Sequence, residues 1–256
     1  MKSQLVHIKE LSSSDREAMY SLLSTHFEGV KREVFEADLN AKNWVILLQD
    51  QTSQTLKGFS TLLLYETEFE GEVLSVVYSG DTIMDPSAWS SSALSRAWIS
   101  SINTLRQQYC QGKLYWLLIS SGYRTYRFLP TFWQEFYPRY DAPTPPRTAA
   151  LMQFLAREQF SQYYDAIAGI VRFPHPQILR GRLQGITTER LKDPHVCFFD
   201  QKNPDHIQGD ELVCLTEICE ANLTPAGRRM WFATLSPEAV GKKQAGVVSA
   251  RLSQAS

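Results

Sequence analysis

Three strand-like stretches follow one another with no helix between them, and that run constrains the fold more than any other feature. "WVILLQD" (44–50) and "LKGFSTLLLYETEFEGE" (56–72) are joined by the polar turn "QTSQT", as in a hairpin, and "VLSVVYSGDTIM" (73–84) comes directly after. Strands linked by short turns pair antiparallel. The next stretch differs: "SSSALSRAWISSINTLRQQY" sets Leu94, Trp98, Ile102 and Leu105 on one helical face, and "KLYWLLIS" (113–120) returns as a strand, which makes a β-α-β unit. Ahead of the run, "LVHIKEL" alternates as a short strand. The capped stretch "SSSDREAMYSLLSTHF", with Met19, Leu22, Leu23 and Phe27 at helical spacing, and "KREVFEADLNAK" then give two helices. The predicted order to about residue 140 is β-α-α-β-β-β-α-β-α, its last helix, "SGYRTYRFLPTFWQEFY", interrupted at Pro130. This is a mixed α/β chain, antiparallel first.

A chain of 256 residues holds one large domain or a domain with an extension. The four prolines of "YPRYDAPTPPR" read as an extended connector, so we expect a core over 1–140 and a C-terminal α+β extension over 141–235 packed on it. In that extension "TAALMQFLAREQFSQYY" is an amphipathic helix, "GIVRFPHPQILRGRL" is irregular, and "HVCFFDQKNP" and "GDELVCLTEI" are expected as strands. Residues 236–256 have few large apolar groups and are expected to form a flexible tail. With Lys+Arg at 26 against Asp+Glu at 27, net charge gives no pointer to nucleic acid. No run of about 20 apolar residues suits a membrane span, and the N-terminus lacks the apolar stretch of a secretory signal, so the expected location is cytoplasmic. The four cysteines form no CxxC pair and are expected as free thiols. His195, Cys197 and His206 match no zinc spacing, and no metal is expected.

The junction "VVYSGDTIMDPSAWSSSAL", set in this order of elements, resembles the GNAT superfamily of N-acyltransferases over about the first 140 residues. The resemblance implies a mixed, mostly antiparallel sheet flanked by helices. It also implies that the loop into the helix after the fourth strand holds the pyrophosphate of an acyl coenzyme A on backbone amides, where free N–H groups and the helix dipole converge. In the family that loop has the form Gln/Arg-x-x-Gly-x-Gly/Ala; here Trp89, Ser92 and Leu94 stand at its defining positions. Met84, Ser91, Ser92 and Ala93 form the expected donor-binding set. The other reading of the serines is plain capping, for which serine is well suited.

The same resemblance implies a tyrosine, after the fifth strand, that protonates the departing thiolate; Tyr123 and Tyr126 both qualify, and both also suit core packing. Carboxylates near the expected cleft are Asp81, Glu66 and Glu68. Asp81 stands out because it lies between Val77 and Ile83 on a central strand, where an ionised group is costly unless paired or functional. Its structural alternative is pairing with Arg124, Arg127 or a backbone amide. Ser79, two residues earlier, is expected on the same face. Arg124 and Arg127, three apart on one turn, suit either a carboxylate or phosphate ligand or a solvated face. The aromatics of "FLPTFWQEFYPRY" suit an acyl tunnel or ordinary core. The expected donor is therefore acyl-CoA or an acyl group on the phosphopantetheine of an acyl carrier protein, and the acceptor a small-molecule or peptide amine. A GNAT-like module that binds a ligand or protein without catalysis is the alternative.

Overall fold

The computed structural model describes residues 1–181 and 184–232, so the expected tail at 236–256 lies outside the described residues. Its strands are β1 (Lys2–His7), β2 (Phe27–Glu28), β3 (Trp44–Gln49), β4 (Leu56–Phe69), β5 (Glu72–Met84), β6 (Lys113–Ser120), β7 (Tyr164–Asp165), β8 (Ile170–Val171), β9 (Ile178–Leu179) and β10 (Glu211–Glu217). Eight of them form one sheet in the order β1-β3-β4-β5-β6-β10-β8-β7, and β2 pairs with β9 apart from it. Every pair in the sheet is antiparallel except β5 with β6. That exception follows from the chain: a helix crosses between these two strands, and a crossover returns the second strand in the direction of the first. The fold class is thus the expected one, a mixed and mostly antiparallel sheet flanked by helices. β10 pairs with β6 along Leu212–Glu217, so one sheet runs through residues on both sides of position 140.

The helices are α1 (Ser13–His26), α2 (Arg32–Asn40), α3 (Ala93–Tyr109), α4 (Tyr123–Tyr126), α5 (Phe128–Phe132), α6 (Pro146–Phe160), α7 (Pro194–Lys202) and α8 (Pro225–Trp231). One face of the sheet buries Leu62, Val77, Leu118 and Cys214 against α3, α4, α5, α7 and α8. At its centre Trp98, Trp116 and Trp133 stack, with successive ring centroids 4.2 and 5.1 Å apart. Two separate patches cover the other face. α1 and α2 bury Met19, Leu23, Phe35 and Leu39 on Val45, Leu47, Phe59 and Ile83. α6 buries Leu151, Leu155 and Phe160 on Val76, Tyr78, Leu117 and Val213. β5 contributes to both patches, Val76 and Tyr78 to the α6 patch and Ile83 to the α1/α2 patch.

Two expectations change. "HVCFFDQKNP" is the helix α7 rather than a strand: Asp193 accepts the His195 N–H at 3.0 Å as its cap, and Pro194 sits at the first position, where its missing N–H costs nothing. The helix after β6 breaks at Arg127, between α4 and α5, and not at Pro130. Pro130 falls in the first turn of α5, which tolerates it.

Candidate active site

β5 and β6 pair only as far as Ser79 beside Leu118, although β5 runs on to Met84 and β6 to Ser120. Beyond Ser79, β5 keeps β4 on one side and, among the described residues, has no strand on the other. At the same point the register with β4 shifts: Leu62 faces Ser79 while Ser60 faces Thr82, leaving Gly80 and Asp81 opposite Thr61 alone. This is a β-bulge, a device that re-aims side chains. It corrects the expectation that Ser79 and Asp81 share a face. Ser79 points to the tryptophan face, where its hydroxyl accepts the Trp116 indole N–H at 2.9 Å. Asp81 instead lies among Asp38 of α2 and Lys42 just after it.

The Asp81 carboxylate makes no hydrogen bond or ion pair among the described residues. Burial pushes it up to about 7, Asp38 adds to that, and Lys42 opposes it. Glu211, on the same face as Val213 and Leu215, is pushed up to about 8 by burial and then by Asp81 and Asp38. Lys42 donates to Asp38 Oδ1 at 2.6 Å and to the Asp38 carbonyl at 3.2 Å, and its Nζ sits 5.3 Å from the centroid of Tyr78. Burial, then Asp38, Glu211 and Asp81, push the Tyr78 phenol well up. Asp38, Lys42 and Glu211 escaped the sequence reading because the chain brings them in from other elements. The one local signal was Gly80, since a glycine inside a strand pattern marks a bulge.

On the tryptophan face Tyr126 is fully buried, 5.4 Å from Phe199 by ring centroids, and its hydroxyl donates to the Pro138 carbonyl at 3.0 Å. Burial holds that phenol far above its ordinary range. Tyr123, also buried, lies under the Arg124 guanidinium at 4.7 Å, and the same guanidinium lies 4.3 Å over Trp89. The Trp89 indole donates to the Met84 carbonyl at 2.9 Å. This stack therefore runs from the loop after β5 to α4 after β6, across the gap where the strands part. At the head of α3, Ser91 Oγ accepts the Ala93 N–H at 3.1 Å, and Ser92 occupies the cap position without a side-chain bond. Through Trp89 and Arg124 the structure links Met84 to Tyr123, while Ser91, Ser92 and Ala93 follow Trp89 in the chain. It places the Tyr126 hydroxyl and Asp81 on opposite faces of the sheet.

The remaining candidates lie elsewhere. Glu66 and Glu68 sit opposite Ser75 and Val73, toward the far end of the hairpin. Arg127 pairs with Asp193 at 3.2 Å, and His206 meets Asp200 at 3.4 Å. Among the described residues no group of three His, Cys, Asp or Glu side chains could hold a metal ion, and no helix is long and apolar enough to cross a membrane. A cavity of about 400 Å³ opens at the other end of the sheet, lined by Leu74, Tyr115, Tyr137, Arg147 and Cys219 among others, and by none of the predicted site residues.

No protein-family model matches the chain, and no curated protein matches it. Among solved structures, it is similar to a conserved protein of unknown function from Enterococcus faecalis described as a probable N-acyltransferase (TM-score 0.39, 16% identity), with 53% of this chain and 33% of that one covered. It is also similar to Arabidopsis thaliana NAA60 in complex with a bisubstrate analogue (TM-score 0.40, 12% identity, 55% and 91% covered). A third is the GNAT family N-acetyltransferase YhbS from Escherichia coli in complex with CoA (TM-score 0.36, 14% identity, 52% and 69% covered). The chain spans a third of the length of the first of these. At such scores the matches carry no weight for substrate or chemistry. The element order and the mixed, mostly antiparallel sheet are those expected from the sequence.

Proposed function

We propose that the protein is an N-acyltransferase that moves an acyl group from a pantetheine thioester to an amine, with Asp81 as the base. One observation carries the reading: an unpartnered carboxylate, pushed up to about 7, stands on a bulge where two parallel strands part. A carboxyl raised toward neutrality by its surroundings is suited to proton removal in the transition state. The donor, an acyl-CoA or a carrier-protein thioester, would lie along the unpaired edge of β5, with its phosphates at Ser91, Ser92 and Ala93. Asp81 takes a proton from the acceptor amine as the nitrogen attacks the thioester carbonyl. The carbon–sulfur bond then breaks and the thiolate takes a proton. Tyr123 is the better candidate for that proton, because the Tyr126 hydroxyl is held by Pro138.

Thermal melts with CoA, acetyl-CoA, palmitoyl-CoA and a phosphopantetheinylated carrier protein test the donor, since a ligand that binds only the folded state raises the midpoint. Thiol release from the stabilising donor over a panel of amines tests the reaction. Asp81→Asn is expected to lower turnover by about 100-fold or more while leaving donor binding unchanged. Absence of both a shift and thiol release, over the whole panel, overturns the proposal. The Trp89–Arg124–Tyr123 stack and the occupied Met84 carbonyl favour a second reading, a module of the same fold that no longer turns over a thioester. In that case Asp81→Asn alters stability alone.

A further inference from the structure

We propose that Lys42 is the positioning residue for Asp81: anchored by Asp38 and packed on the bulge at Gly80, its ammonium stands beside the Asp81 carboxylate in a cluster whose other charged groups are acids. This deepens the acyltransferase reading and rests on it.

The argument begins with space. The Lys42 side chain is 3% exposed, and lysine is almost never buried to that degree unless paired. A Cβ built on Gly80 would stand 2.6 Å from Lys42 Cε, 3.3 Å from Nζ and 2.7 Å from Thr61 Oγ1. The first and last of these distances are closer than any real contact, so the lysine tip fits because position 80 has no side chain. The Gly80 backbone is outside the left-handed region, so its conformation does not demand glycine; the room taken by Lys42 does. Thr61 Oγ1, 1% exposed as a residue and without a partner, lines the same spot.

Charge completes the argument. α2 presents Asp38 and the turn after it Lys42; β5 presents Asp81 and Tyr78; β10 presents Glu211. Among these groups one ammonium faces three carboxylates, and Asp38 binds it directly. Burial and mutual repulsion favour the protonated forms of Asp81 and Glu211. At Asp81, Lys42 is the group in this set that opposes this. Without it, none of these groups would favour the ionised form of Asp81.

The test is a ¹³C-carboxyl NMR titration of the ligand-free full chain, with Asp81→Asn identifying the Asp81 resonance. Lys42→Met removes the ammonium, and Gly80→Ala displaces it while keeping its charge in the protein. Both are expected to move the Asp81 midpoint up by about one pH unit, the lower end of what a neighbouring opposite charge contributes. Asp38→Asn is expected to move it down, since it removes a repelling carboxylate and frees the ammonium. An unmoved midpoint in Lys42→Met and Gly80→Ala, or an upward move in Asp38→Asn, overturns the proposal. If the donor panel yields turnover, the acid limb of kcat/KM must move with the midpoint; a loss equal at every pH would mark Lys42 as structural only and also overturn it. Because the titration needs neither donor nor acceptor, a silent thioester panel sinks the acyltransferase reading and leaves the Lys42 result to be read on its own.

Discussion

Asp81 and Glu211 bind protons on folding, and this fixes the sign of a pH effect. Their folded values, about 7 and about 8, lie above the ordinary 3.8 and 4.5. The stability they contribute is therefore present in full below about pH 4 and is lost as pH rises through 7 and 8. Asp81→Asn and Glu211→Gln should each stabilise the protein at pH 9 by roughly 1–3 kcal/mol and leave it nearly unchanged at pH 4. Urea unfolding at the two pH values measures this, and an equal effect at both would refute it. At this scale one of the four clustered charged groups stood out in the sequence. A carboxylate on an apolar strand announces Asp81, whereas Asp38, Lys42 and Glu211 are ordinary charged residues until the fold sets them beside it.

Elements were legible wherever periodicity was strong and local. β3 to β6, α1 to α3 and α6 appear where alternation or helical spacing places them. α7 does not, because "VCFF" is an apolar run that suits a strand or a helix and is decided by the Asp193–Pro194 start. The turn after β10 shows how the late elements are fastened. Asn222 donates to the Glu135 carbonyl at 2.9 Å, the Glu217 carbonyl at 2.8 Å and Thr216 Oγ1 at 3.0 Å, and it accepts the Glu135 N–H at 2.7 Å. Asn222→Ala leaves those groups without their partner and should cost about 2–4 kcal/mol in chemical denaturation, more than an average point substitution. A loss below about 0.5 kcal/mol would show that water replaces the side chain.

For the whole molecule, strand order was the part sequence could not supply. Nothing local to "ELVCLTE" tells that it lies against β6 rather than at the end of the sheet; its neighbours are chosen by the apolar surface left open on both faces. A chain cut after residue 140 would keep β6 as an exposed edge and lose the cover of Leu117 and Ile119 from α6. Such a fragment is expected to aggregate or stay unfolded, and a soluble, cooperatively melting monomer in size-exclusion and circular-dichroism measurements would disprove this. The same topology sets a timetable during synthesis. About 100 residues separate the end of β6 from the end of β10. At roughly 5–20 residues per second, the nascent chain carries β6 with one edge open for about 5–20 s before β10 leaves the ribosome. In that interval β6 offers one open edge to any chain that can pair with it, and slow codons between the two strands would lengthen its exposure.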